Sequence, residues 1–274
     1  MVCAKYEMVL RVVPIGLNGE LDLSVLKNVL GMKTRLVALT HISNTIGAVN
    51  EVKLITDLAH GVGAKVLIDG AQAVGRIPIN VQEIGCDFYV FSGHKAYGPT
   101  GTGVLFGKFD ILNTMPAWQG GGGMVKDIHA GTATLKRAPH KFEPGSPNFA
   151  GIFGLETAIN YLTKIGMHKI HAHVSTLTSY ALQQHQSVPN IKILGCPSER
   201  LGVISFTING RNLKEVAAEL DSYGLDLGVG HHCAIPLMEK YEIAGSIRIS
   251  FAMYNSKSDI DALINGLLRV CHDI

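Results

Sequence analysis

At 274 residues, 47% hydrophobic and 17% charged, the chain is long and apolar enough to bury a sizeable core, which excludes a disordered or low-complexity protein. Its net charge of +2 comes from scattered cations, the longest local run being Lys136-Arg137, so there is no stripe for nucleic acid. No apolar run reaches the roughly 18 residues of a membrane span, and the opening Met-Val-Cys-Ala-Lys-Tyr-Glu is too polar for a secretory signal.

In chain order, residues 9–13 form a short apolar run, 21–30 have helical spacing, and 35–40 read as a buried-type strand. Residues 51–60 are helical, with Gly61 and Gly63 as stop signals. Runs at 65–69, 88–92 and 103–106, β-branched or aromatic and punctuated by glycine, are strands. Short apolar strands alternating with helices predict a mostly parallel sheet covered on both faces. Ligands of such sheets collect at the carboxyl ends of the strands.

Four successive glycines, Gly120 to Gly123, make 119–124 a loop, and Trp118 beside it is expected to be a packing residue. A long helical stretch covers 151–186 with an interruption near Gly166. Strands at 191–194 and 203–208, a helix at 213–223, a His-His-Cys loop, a strand at 247–251 and a last helix at 258–270 complete the chain. Asp259 and Asp261 suit the positive end of that last helix. The expected division is a large domain over 1–163, including the connecting helix, and a smaller α/β domain over 164–274.

Three clusters fall at expected strand ends. Asp69 closes a hydrophobic strand in Leu67-Ile68-Asp69-Gly70-Ala71-Gln72, where an ionised carboxylate is costly without a cationic partner. A protonated pyridine nitrogen is one such partner; a turn or cap aspartate is the alternative. Lys95, in Phe91-Ser92-Gly93-His94-Lys95-Ala96-Tyr97-Gly98-Pro99, directly follows a strand. Burial there would make its amine a nucleophile for a Schiff base, and Ser92 and His94 add donors for a phosphate.

Cys233 lies in Gly230-His231-His232-Cys233-Ala234-Ile235-Pro236, where flanking histidines favour a thiolate if they are charged or donate to sulfur. The five cysteines, Cys3, Cys86, Cys196, Cys233 and Cys271, include no Cys-x-x-Cys pair, which argues against a disulfide framework or structural zinc and for a reducing, cytoplasmic compartment. His171 and His173, two apart on a helix, face different directions and do not suggest a metal site.

Together these motifs, with Thr40-His41-Ile42-Ser43-Asn44-Thr45-Ile46-Gly47, Phe142-Glu143-Pro144-Gly145-Ser146-Pro147-Asn148 and the stretch 248–255, resemble the cysteine desulfurases that use pyridoxal 5'-phosphate (PLP), in particular the SufS-like group that includes selenocysteine lyases. The resemblance implies the α/β fold of type I PLP enzymes: a partial large domain with a mostly parallel sheet, and a small carboxyl-terminal α/β domain. It implies that Lys95 carries the cofactor, Asp69 faces the pyridine nitrogen, Gln72 bonds the ring hydroxyl, and Ser92 with His94 hold the phosphate. Ser146 stands where relatives often have a threonine reaching the phosphate of a partner subunit. Asn44 and Arg248 would bind the substrate carboxylate, and Cys233 would accept sulfur from L-cysteine to leave L-alanine and a persulfide. A homodimer and a sulfur-acceptor protein of iron–sulfur assembly are further implications.

Two departures accompany it. Relatives carry an additional amino-terminal third, with a small-residue loop for the phosphate and a histidine that stacks on the ring. Relatives also have an arginine five residues before the cysteine, where this chain has Gly228. A selenocysteine lyase and a non-catalytic remnant without cofactor remain as alternative readings.

Overall fold

The computed structural model describes residues 2–272. After a four-residue helix, α1 (Val2–Lys5), the chain is irregular until a small β-bridge between Ile15 and Leu21 and helix α2 (Leu23–Val29). Asp22 caps α2 by accepting from the Ser24 and Val25 amides. The run at 9–13 forms no strand: among the described residues no neighbour pairs with it, and Val9, Leu10 and Val12 are exposed.

The first sheet has the order β1 (Leu36–Thr40), β2 (Lys65–Asp69), β3 (Phe88–Ser92), β4 (Gly103–Gly107). The first three are parallel and β4 is antiparallel. Helix α3 (Val52–Gly61) joins β1 to β2, and the short α4 (Val81–Ile84) precedes β3. Ile55 and Ala59 of α3 are fully buried, and a core of Val52, Ala59, Val66, Ile68, Ile84 and Tyr89 fills the space against one sheet face. Register puts Leu36, Ala38, Leu67, Asp69, Val90, Ser92 and Leu105 on the opposite face, since paired residues point the same way. There Leu36 and Leu105 are 47% and 55% exposed, so in this chain the sheet is covered on one face and not on both.

Helix α5 (Phe109–Thr114) follows β4. The glycine loop then leads into a hairpin, β5 (Val125–His129) and β6 (Thr132–Leu135), that the periodicity does not announce because both strands are mostly exposed. Trp118 is 85% exposed and, among the described residues, belongs to none of the hydrophobic cores, contrary to expectation. The long helical stretch is two helices, α6 (Phe149–Ile165) and α7 (Met167–Gln184), broken at Gly166.

The second sheet is fully antiparallel, with spatial order β7 (Ile191–Ile193), β8 (Val203–Ile208), β10 (Ser246–Ser250), β9 (Gly228–Gly230). Helix α8 (Leu213–Ser222) follows β8, α9 (Ile235–Lys240) follows the Cys233 loop, and α10 (Lys257–His272) ends the description. The largest core, including Val174, Leu177, Ile204, Phe206, Leu220, Ile247, Ile260 and Leu267, lies between this sheet and α7, α8 and α10. Ile42 and Ala73, from the loops after β1 and β2, belong to the same core and fix the two sheets relative to each other. Among the described residues no helix is long and apolar enough to cross a membrane.

Candidate active site at the strand ends

The site begins where three parallel strands stop. Asp69 is the last residue of β2, and Ser92 the last of β3; both lie on the open sheet face. One Asp69 oxygen accepts from the Ala71 amide at 2.9 Å, the only hydrogen bond to that carboxylate among the described residues. Gly70 then lets the chain pass over the Tyr89 ring: a Cβ at Gly70 would lie 2.0 Å from that ring. Tyr89 shares a buried 2.9 Å bond with His41 Nδ1. Burial pushes the His41 imidazole down to about 4 and raises the Tyr89 phenol, so both are neutral near pH 7.

After β3 the chain makes a single 3₁₀ turn, Gly93–Ala96, that places His94 and Lys95 at the strand end. Both side chains are exposed; the burial expected for Lys95 is not present in this chain, because the face it stands on is open. Tyr97 closes the turn in a left-handed conformation (φ 63°), and its hydroxyl accepts from the Met253 amide at 3.2 Å.

The loop after β1 carries Asn44 and is stitched to the second sheet. Leu201 donates to the Gly47 carbonyl at 2.9 Å, and the Ser205 hydroxyl to the Thr45 carbonyl. Gly47 (φ 72°) is required there, since a Cβ would lie 2.3 Å from the Val203 carbonyl oxygen. This seam brings Asn44 to Arg248 of β10, whose Nη1 donates to the Asn44 carbonyl at 3.1 Å. Arg248 Nε is buried and has no hydrogen-bond partner among the described residues. A buried charged donor left unpaired is costly, and a carboxylate presented to its fork would satisfy it bidentately.

Cys233 belongs to the same assembly. Asn44 Nδ2 donates to the His232 carbonyl at 2.8 Å, and His232 Nε2 meets the Ser246 carbonyl at 3.0 Å. His232 and Cys233 both have positive φ (51° and 59°), a tight turn that leaves Cys233 exposed. The role expected of His232 toward the thiolate is not fulfilled: its ring N–H is committed to Ser246, and burial together with Arg248 pushes its pKa below the ordinary value. Gly228 faces the same pair; a Cβ there would sit 3.5 Å from Arg248 Nη2 and 3.6 Å from His232 Cε1, ordinary contact distances.

Asp69, Ser92, His94 and Lys95 therefore gather at one end of the first sheet, with Gln72 on the turn just after Asp69. Asn44, Arg248 and Cys233 form a second, hydrogen-bonded group joined to the first by the loop after β1. Ser146 lies apart, exposed before α6, and hydrogen-bonds to none of the others among the described residues. The sequence reading missed Arg76 and Tyr97, which tie these groups together. The only available signal for Arg76 was its i, i+4 spacing from Gln72. Among the described residues no cluster of three or more His, Cys, Asp or Glu side chains is arranged to hold a metal ion.

The donor set suits a planar, phosphorylated pyridine aldehyde. It supplies a carboxylate with a free oxygen for a ring cation, an amide for a ring oxygen, a hydroxyl and an imidazole for phosphate, and a primary amine for the aldehyde. Residues 1–263 match the family model of class-V aminotransferases. The chain is 45% identical over 98% of its length to a cysteine desulfurase of Escherichia coli O7:K1 and 44% identical to one of Klebsiella pneumoniae. It spans 66% of the length of each. A cysteine desulfurase from Thermococcus onnurineus NA1 superposes with a TM-score of 0.94 at 32% identity, and the cysteine desulfurase CsdA from Escherichia coli with 0.93 at 34%. All of this chain and 68% of each of those chains are covered.

Proposed function

The chain belongs to the class-V aminotransferase family, with the type I PLP fold, and on that premise we propose that it is a PLP-dependent cysteine desulfurase of the SufS-like group. Support comes from one observation above others: the Cys233 loop is hydrogen-bonded through Asn44 to Arg248, whose buried Nε lacks a partner among the described residues. A sulfur acceptor and a carboxylate-binding fork are thereby held in one frame.

Asp69, Gln72, Ser92, His94 and Lys95 would hold the cofactor, with Ser146 contributing to the site of a partner subunit in a homodimer. PLP, when bound, supplies an electron sink for the bonds broken at the substrate α-carbon. The protein does the rest. Arg248 and the Asn44 side chain orient L-cysteine by its carboxylate, and that fixes the substrate Sγ toward the Cys233 loop. Lys95 Nζ, standing at the end of β3, moves the proton of the substrate α-carbon. Cys233 Sγ, as thiolate, attacks the substrate sulfur, and the carbon–sulfur bond breaks. L-Cysteine and one thiol become L-alanine and one persulfide, with no external oxidant or reductant. The persulfide on an exposed loop suits transfer to an acceptor protein. The division into a cofactor domain over 1–163 and a Cys233-bearing domain over 164–274 belongs to the same proposal.

The test is the visible absorbance of purified protein titrated with PLP beside Lys95→Ala. A Lys95-dependent band is expected; a folded wild-type protein without one overturns the reading. Gly228→Arg is a second check on the carboxylate fork. Its Cβ fits, and the added guanidinium would lie beside Arg248, so the Michaelis constant for cysteine should fall by about tenfold, as for one charge-assisted hydrogen bond. An unchanged constant would count against a role for position 228 in holding the substrate carboxylate.

A further inference from the structure

We propose that Arg76 is a positioning residue that sets which end of the Gln72 carboxamide faces the cofactor; the inference rests on the reading of Gln72 as the ring-oxygen contact. Arg76 Nη1 donates to the Gln72 carbonyl at 2.9 Å and also to the Gln72 side-chain oxygen Oε1. A guanidinium has only donors, so the amide atom it meets must be the oxygen. Gln72 Nε2 is consequently turned the other way as a donor, the polarity needed to bond an anionic ring oxygen. Without Arg76 the carboxamide has two nearly equal orientations, of which one presents an acceptor to that oxygen.

Arg76 is itself held. Its Nε reaches the Phe251 carbonyl at 3.4 Å, just beyond β10, and its side chain lies against Gly202 at the entry to β8. A Cβ at Gly202 would come within 2.8 Å of Arg76 Nε, so the glycine leaves room for the guanidinium. The same side chain thus ties the turn after Asp69 to the strand that carries Arg248. Few rotamers satisfy all these bonds at once, which is what a positioning role requires.

Two measurements test this, one of them independent of the cofactor. In the cofactor-free protein, the side-chain amide signals of Gln72, identified by their loss in Gln72→Ala, should move in Arg76→Met and return toward the wild-type position in Arg76→Lys. Gln72 signals unmoved in Arg76→Met overturn the proposal, whatever the protein does with PLP. In the titration, Arg76→Met should weaken PLP binding about tenfold with Gln72 present and have little further effect in Gln72→Ala. Equal losses in both backgrounds overturn it, because Arg76 would then act without Gln72. A wild-type protein that shows no PLP band, yet whose Gln72 signals respond to Arg76→Met, retains the Arg76–Gln72 arrangement and refutes only the cofactor reading.

Discussion

Cys233→Ser is expected to abolish sulfur transfer, lowering alanine formation from L-cysteine by at least about 10³-fold, while leaving the fold and any PLP absorbance unchanged. The substitution exchanges one atom at an exposed loop position, and the bonds that shape the loop come from its neighbours. Asn44 Nδ2 holds the His232 carbonyl, and His232 Nε2 holds Ser246. Neither involves the Cys233 side chain, so melting should not change. What is lost is the nucleophile. A serine hydroxyl stays protonated near neutral pH and forms no persulfide, whereas a thiol supplies its thiolate far more readily. Mass spectrometry of the wild type after cysteine should show one added sulfur on the peptide containing Cys233. Full alanine formation by Cys233→Ser would refute the acceptor role. Loss of cysteine turnover with retained selenocysteine turnover would shift the reading toward a lyase, in which selenium leaves without a protein nucleophile.

Asp87→Ala is expected to be strongly destabilising, costing about 1–3 kcal/mol, as for leaving a buried backbone donor without its acceptor. For a chain of this size that corresponds to a fall in melting temperature of roughly 5 °C. Asp87 is 1% exposed and sits just before β3, at the end of the sheet opposite the site. One oxygen accepts from the Val66 amide at 2.8 Å and meets His60 Nε2 at 2.7 Å; the other meets Lys108 Nζ at 3.2 Å. Lys65 Nζ lies 3.9 Å away. The carboxylate therefore joins α3, β2, β3 and the end of β4, and its removal leaves the Val66 N–H buried without an acceptor.

Burial by itself would raise the Asp87 pKa, but the bonds from His60, the Val66 amide and Lys108 outweigh it and hold the group below its ordinary value. A depressed folded pKa means the stabilisation is complete above the unfolded value, about 3.9, and is lost as pH falls through the folded value. The difference in melting temperature between wild type and Asp87→Ala should accordingly be full at pH 7 and shrink below about pH 4. A difference that stays constant down to pH 2 would show that packing, not charge, is at work.

Local signals in the sequence account for most of the strands of the first sheet and for the polar residues at their ends. Strand runs at 65–69 and 88–92 coincide with β2 and β3, because a buried parallel strand needs a continuous apolar run bounded by turn residues, which is a local signal. Asp69, Ser92 and Lys95 were legible for the same reason: each is an ionisable or polar residue at the point where such a run stops. The hairpin at 125–135 was not legible, since exposed strands carry no period that distinguishes them from a loop.

Only the tertiary structure decided the rest. Both the exposure of Lys95 and the uncovered sheet face depend on what packs over them, which no local pattern records. The meeting of Asn44 with Arg248, 204 residues apart, arises from the seam between the loop after β1 and β8. Likewise the lowered pKa of His232 follows from burial and from a guanidinium contributed by another strand, and its ring is held by the Ser246 carbonyl. Contacts between distant segments are set by the packing of whole elements, so residue type could nominate Arg248, Cys233 and Gln72, but only the fold could show what holds each of them in place.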